Sequence, residues 1–357
     1  VTDGPTHAPV ARPEAPSASP AGQPASGPAP ATGPWRTALR HLRRDRVAMG
    51  SAVVLLLVVA ACLLAPVYEK SIAGTDAFTS NVNGTTLVDG QEVPVMQAEA
   101  GGLGLGVTPI GPTGDPAHYL LGADPQGRDV AARLLYGGRN SLFIGAVSAL
   151  LCCALAVLVG VSAGYFGGVV DGVLSRVLDV LWAFPVYLLA ICLSVVLLTS
   201  GLTLGPVTID AGSLALPVFI IGLIYVPYVA RPLRGQVMSL REKEFIQSSV
   251  GAGASDLRIL LREVLPNVVP TVIVFLPLMT SINMLTESAL SFLSIGVQPP
   301  DASWGTIIND GLGLLYTRPA VAIAPGAAIA VTAVALNLLG DGVRDALDPK
   351  AKLRGAV

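Results

Sequence analysis

WRTALRHLRRDRVAMGSAVVLLLVVAACLLAPV, residues 35–67, decides the class of fold. Its first part carries Arg36, Arg40, Arg43, Arg44 and Arg46. Its second part, Val47–Val67, runs 21 residues without a charge. At a helical rise of about 1.5 Å per residue, that run crosses a hydrocarbon core of about 30 Å. A basic cluster abutting a span is retained on the cytoplasmic side, so the N-terminus is predicted inside.

The rest of the chain agrees with a lipid environment. Of 357 residues, 52% are hydrophobic and only 13% charged, against about a quarter charged in an ordinary globular domain. Five further spans are predicted near Ser141–Ala163, Leu174–Leu198, Leu214–Ala230, Val268–Leu290 and Val321–Leu339. Leu174–Leu198, the third of the six spans, contains Trp182, Phe184 and Pro185, a proline kink. Residues 1–34, rich in Pro, Ala, Gly and Ser, read as a disordered cytoplasmic tail. Residues 35–67 are the basic segment and first span. Residues 68–139 form an extracytoplasmic loop with strand-like pieces (TTLVDG, QEVPVM), ending in an amphipathic helix over 123–139 on the outer surface. Residues 140–345 hold a five-helix core, and 346–357 a cytoplasmic C-terminal tail. This arrangement puts 17 Lys and Arg inside and 5 outside (Lys70, Arg128, Arg133, Arg139 and Arg318), the asymmetry expected for this orientation. The fold class is an all-α polytopic membrane protein of six spans with a small irregular or β-containing excursion, located in the cell membrane with both termini cytoplasmic.

Composition excludes several functions. A net charge of −2 offers no basic field for nucleic acid. Cys62, Cys152, Cys153 and Cys192 all lie in apolar runs without metal-ligand spacing. His7, His41 and His118 are scattered, and no HExxH occurs. The chain has no Gly-Lys dipeptide and so no Walker A loop to cradle phosphate.

The segment that carries function is RPLRGQVMSLREKEFIQSSVGAGASDLRILLREVLPN (231–267). A plain connector between antiparallel helices needs about 2–8 residues. This one has helical character. Val237, Leu240, Phe245 and Ile246 fall near one face of its first helix. Gly251 and Gly253 interrupt it. Ser255 is the expected N-cap of a second helix, with Asp256 in the first turn. That helix places Leu257, Leu260, Leu261 and Val264 at i, i+3, i+4 and i+7, and Pro266 closes it before the next span. Two amphipathic helices joined at a glycine turn suit docking into a partner's groove. The plain alternative is a surface hairpin packed on its own bundle.

Three polar residues near or within spans are candidates for a translocation path: Asp179, Asn283 and Glu287. Asp179 has the alternative of a local ion pair with Arg176. Glu287 has the alternative of a carboxylate bonded within the bundle. Trp304 reads as an interfacial anchor.

Within the loop, FIQSSVGAGASDLRILLREVLPN resembles the EAA loop of bacterial ABC importer permeases. That pattern is Glu-Ala-Ala, three residues, Gly, nine residues, then a position two before Leu-Pro. Gln247, Ser248, Ser249, Gly253, Leu265 and Pro266 fall on it in register. LGADPQGRDVAARLLYGGRNSL (121–142), DVLWAFPVYLLA (179–190), ARPLRGQVMSLREKEF (230–245), ESALSFLSIGVQPPDASWG (287–305) and LNLLGDGVRDALDP (336–349) resemble the second permease of the dipeptide, oligopeptide and nickel importers. Most of 36–67 and 121–350 is covered. Gln247 departs from the family glutamate, with Glu244 available as a replacement carboxylate; both alanines are serines; and Glu263 stands where an apolar residue is usual.

The resemblance implies a type I ABC importer permease fold and a non-catalytic subunit that binds no cofactor. ATP and magnesium belong to two partner ATP-binding subunits. A homologous permease completes the path, and an extracytoplasmic solute-binding protein delivers di- or oligopeptides. Glu244, Gln247, Ser248, Ser249, Gly253, Ser255, Asp256, Leu265 and Pro266 are then the ATPase-coupling residues. The rival readings are an ion-driven secondary transporter, a membrane scaffold or receptor using the hairpin as an interaction module, and, among enzymes, an intramembrane hydrolase.

Overall fold

A computed structural model describes residues 34–88, 90–98 and 106–347. The two expected tails, 1–34 and 346–357, lie almost entirely outside them. Helix α1 (Pro34–Arg44) leads to α2 (Arg46–Leu63) through Asp45. Asp45 caps α2, its carboxylate accepting from the Val47 and Ala48 amides at 2.8 and 3.2 Å. The short α3 (Ala65–Tyr68) and a π-turn over Glu69–Ala73 close the first span.

The excursion is built from two antiparallel hairpins. One pairs β1 (Thr85–Val88) with β2 (Gln91–Pro94), so both strand-like pieces form strands. Val88 faces Gln91 at the tight end of the hairpin. Gly90 supplies the positive φ of +77° that such a turn needs. The other hairpin pairs β3 (Met96–Ala98) with β4 (Val107–Pro109).

Helix α4 (Val130–Phe166) is continuous for 37 residues, about 55 Å at the helical rise. This corrects the expectation of a separate amphipathic helix over 123–139. Asp129 caps the helix through the Ala131 and Ala132 amides, so the span begins at Val130. Residues 130–139 of the expected amphipathic piece are nearly its first three turns, and 123–129 precede the helix.

The third predicted span is two helices, α5 (Gly168–Ala183) and α6 (Val186–Ser200), meeting at 89°. Phe184 before the proline is extended, with φ −93° and ψ 140°, as steric conflict with a following proline ring requires. The proline therefore makes a right-angle break. A third hairpin, β5 (Leu202–Leu204) with β6 (Val207–Ile209), follows. The fourth span is α7 (Ala215–Ile224) and α8 (Val226–Arg241), bent by 44°. Short α9 (Glu244–Gly251) and α10 (Asp256–Ile259) make the elbow. A π-turn over Leu260–Val264 runs into α11 (Leu265–Phe292). Then come α12 (Trp304–Gly311), a 3₁₀ turn at Leu312–Leu314 and α13 (Ala320–Leu347).

Pro266 does not close the elbow's second helix, as expected from sequence. Helix runs unbroken from Asp256 to Phe292. Proline has no N–H to give the carbonyl four residues back. The wider π-turn accommodates it, with the Leu265 amide donating to the Leu260 carbonyl. Among the described residues, four helical segments, α2, α4, α10–α11 and α13, are long and apolar enough to cross a membrane, and the two bent pairs raise the count to six.

Helix α4 is the mast of the bundle. Gly160 and Gly164 let α8 approach it closely. A Cβ on Gly160 would sit 2.7 Å from the Ala230 carbonyl oxygen, and one on Gly164 would sit 2.8 Å from that of Arg234. This is the small-xxx-small contact of membrane helices. These residues lie in GVSAG (160–164), which also has the GxSxG spacing of a hydrolase. Set inside a continuous helix, the segment forms no strand-to-helix elbow, so that spacing serves packing.

Candidate functional site

The elbow starts where α8 ends. Helix α9 is short because Glu242 and Lys243 break the chain before it and the glycine turn follows it. Gly253 has φ +77° and its amide donates to the Val250 carbonyl at 2.9 Å. A Cβ there would meet nothing within 4 Å. The demand for glycine is thus conformational: the left-handed region costs an ordinary residue about 1–2 kcal/mol. Ser248 and Ser249 contribute carbonyls that accept from Ala252 at 2.9 Å and Ala254 at 3.1 Å. Gln247 is exposed, with only a 3.4 Å contact to the Glu242 carbonyl. Glu244, in the first turn of α9, is exposed as well.

Ser255 holds the N-cap position of α10, but its hydroxyl makes no capping bond. This differs from the sequence expectation. Asp256 instead reaches sideways: its Oδ1 accepts from the Tyr165 hydroxyl at 2.9 Å. The last turn of α4 thereby braces the elbow, a role the sequence reading did not assign to Tyr165. A second brace joins α5 to α8, with Arg234 Nη2 donating to Asp171 Oδ2 at 2.6 Å. Leu265 and Pro266 lie just beyond the π-turn, at the start of α11.

The two amphipathic faces are turned differently from expectation. Val237, Ile246, Ile259 and Val264 are buried, but Phe245 and Leu257, grouped with the packing residues by spacing, point outward. Leu257 is 66% and Leu261 54% exposed, and Val250 is exposed beside them. The elbow is anchored by one set of apolar residues and presents another.

The three path candidates divide. Asp179 is half exposed and pairs with Arg231 Nη2 at 2.8 Å, across α5 and α8. The partner is Arg231, not the Arg176 one helical turn away. The Arg231 guanidinium also lies 5.1 Å from the Trp182 ring centre. Asn283 is fully buried. With its amide oriented to suit its neighbours, it accepts from Ser148 Oγ at 2.9 Å and donates to the Met279 carbonyl at 3.2 Å. Glu287 is also fully enclosed; Ser291 Oγ donates to it at 2.7 Å and Ser288 Oγ at 3.4 Å, both from its own helix. Neither Asn283 nor Glu287 has a surface to offer a solute in this conformation. Replacing Glu287 with alanine leaves buried hydroxyls without their acceptor, each costing about 1–3 kcal/mol. Glu287→Gln keeps an acceptor and should cost less. Thermal unfolding in detergent will rank the two.

Trp304 is not an interfacial anchor. It is 1% exposed at the start of α12, and its indole N–H donates to the Leu134 carbonyl at 3.0 Å.

On the opposite face from the elbow, four charges form a lattice. Arg128 Nε donates to Asp124 Oδ2 at 2.7 Å, and the Nη2 atoms of Arg128 and Arg133 each donate to Asp310 Oδ2 at 3.0 Å. Arg133 Nε also lies 3.3 Å from Asp124 Oδ2, outside hydrogen-bond alignment. Burial lifts the Asp310 carboxyl above the usual carboxylate range, with the two guanidiniums pulling the other way. Arg318 Nε donates to the Pro109 carbonyl at 2.7 Å, tying the excursion to the start of α13. Arg128, Arg133 and Arg318, three of the arginines placed outside by the sequence count, are therefore bound within the fold.

The fold and the elbow define a polytopic helical membrane protein that presents a braced helical turn on one face. Residues 156–353 match the family of the binding-protein-dependent transport system inner membrane component, and residues 33–77 match the N-terminal TM domain of oligopeptide transport permease C. The chain belongs to this family of ABC transporter permeases. It is 38% identical to the glutathione transport system permease protein GsiD of Pectobacterium atrosepticum over 67% of this chain and 75% of the relative. It is 34% identical to the protein of the same name from Escherichia coli over 89% of this chain and 91% of the relative. A chain of the inward-facing MetNI methionine ABC transporter overlays on 60% of this chain and 96% of its own length, with 15% identity and a TM-score of 0.47.

Proposed function

We propose that this chain is a permease subunit of a peptide importer, taking di- or oligopeptides or glutathione-like molecules, and that the 241–266 elbow couples it to separate ATP-hydrolysing subunits. A homologous permease would complete the path, and an extracytoplasmic solute-binding protein would load it. The chain itself catalyses nothing; ATP and magnesium would reside on the two ATPases. The elbow face, with both termini, is read as cytoplasmic, in keeping with the arginine-rich α1 on that side. Closure of the ATPases would move the elbow, and the unbroken helix from Asp256 to Phe292 would carry that movement into the bundle. Asp179, with Arg231 and Trp182 on the exposed face of the broken third span, is the path candidate that this geometry favours.

One observation supports coupling above the others. Phe245, Val250, Leu257 and Leu261 are exposed on an elbow that is itself held rigidly by Tyr165, Ile246 and Ile259. A hairpin merely packed on its own bundle would bury these side chains. The test uses Gly253. Gly253→Val forces a β-branched residue into the left-handed region and should abolish both co-purification with a Walker-A-bearing subunit and ATP-driven peptide uptake. Gly253→Asn, which tolerates that backbone, should retain both. Full uptake and association by the folded Gly253→Val variant would show that the elbow does not couple.

A further inference from the structure

We propose that the groove between α2 and α13 holds one anionic phospholipid, its acyl chain in the groove and its phosphate at Arg46. The groove is a shallow, open depression of about 520 Å³ lined chiefly by apolar side chains, with Arg46 at one end and Val54 and Ala330 at the other. From Arg46 to Val54 it runs about 12 Å along α2, a depth that suits part of a lipid chain. Small residues create it. Gly50 and Ser51 stand on α2 and Ala330 and Ala335 on α13, and a Cβ at Gly50 would meet nothing within 4 Å. Ala48, within the same stretch of α2 but on another face, packs closely against Gly342 of α13. The opening therefore lies beside a closely packed seam between the two helices.

Charge identifies the occupant. Arg46 is exposed at the mouth, continuing the run Arg36, Arg40, Arg43 and Arg44. Among the described residues, none of these five guanidiniums has a carboxylate within 4.0 Å. Asp45, the acidic residue of this segment, spends its carboxylate on the first turn of α2. Unpaired arginines at the level where a span leaves the hydrocarbon attract anionic headgroups. A zwitterionic lipid could fill the recess but leaves Arg46 without a net counter-charge. A transmembrane helix of another chain would bring no phosphate.

Native mass spectrometry of the purified full chain, given equal phosphatidylglycerol and phosphatidylcholine of identical acyl chains, provides the test. The parent should retain phosphatidylglycerol in preference. Arg46→Gln should lower that retention about fivefold, the effect of one basic contact at an anionic surface, and Arg46→Lys should keep it. Arg36→Gln makes the same charge change at the far end of α1 and should matter little. Gly50→Leu, which fills the recess and leaves every charge in place, should also abolish the preference. Equal losses in Arg36→Gln and Arg46→Gln, or unchanged retention in Gly50→Leu, would overturn the proposal. So would efficient disulfide capture of a neighbouring protein chain by a Gly50→Cys variant in the assembled transporter. Thermal midpoints of all variants in detergent confirm that each is folded.

Discussion

Arg133→Met should lower stability by about 3–5 kcal/mol, the usual cost of removing one member of a buried charge cluster. Arg133 is 2% exposed and contributes half of the positive charge in the lattice with Asp124, Arg128 and Asp310. Without it, Arg128 alone faces two carboxylates, one of them fully buried. Methionine fills much of the same volume, so the loss reports charge and not a cavity. Pairing Arg133→Met with Asp124→Asn should recover part of the loss, since the orphaned buried charge is then removed too. Thermal unfolding in detergent reads both variants, and protease sensitivity of the excursion reads whether its tie to α4 and α12 has loosened. An unchanged midpoint in the single variant would show that water already neutralises these groups.

Leu257→Glu should weaken docking of the ATP-hydrolysing subunit by about 2 kcal/mol, or roughly thirtyfold, if Leu257 is one of the few side chains that dominate such an interface. Leu257 is mostly exposed and touches little of its own bundle, so the variant should fold with the parent's thermal midpoint. Peptide uptake should fall with association. Leu261→Glu, one turn on along the same face, should act similarly, whereas Ile259→Glu should destabilise the chain itself, because Ile259 is 1% exposed. This contrast separates a docking face from a packing face. Parent-level association and uptake by Leu257→Glu would remove that residue from any interface.

The distinction between those two faces was not legible from the one-dimensional pattern. Spacing grouped Leu257, Leu260, Leu261 and Val264 on one side of a helix, but only Val264 of the four is buried, and the inward residue of that turn, Ile259, was not singled out. Apolar periodicity marks the core when the other side faces water. Here lipid and the bundle interior are both apolar, so the pattern loses its contrast. The same loss hid the Gly160–Gly164 contact inside a span read only for length.

What the sequence alone determined was local. A charge-free run of sufficient length makes a span because unpaired backbone groups cannot exist in hydrocarbon. Pro185 removes a backbone donor and pushes Phe184 out of the helical region, and the turn at Gly253 needs a residue that accepts a positive φ; each follows from the sterics of one or two residues. The tertiary structure decided the rest. Asp310 meets Arg128 and Arg133 across more than 170 positions of chain, the Trp304 indole reaches the Leu134 carbonyl, and Tyr165 meets Asp256 only where α4 ends against the elbow. Such pairings depend on which helices pack together and at what height, and side-chain chemistry specifies them only after the backbones have been brought into contact.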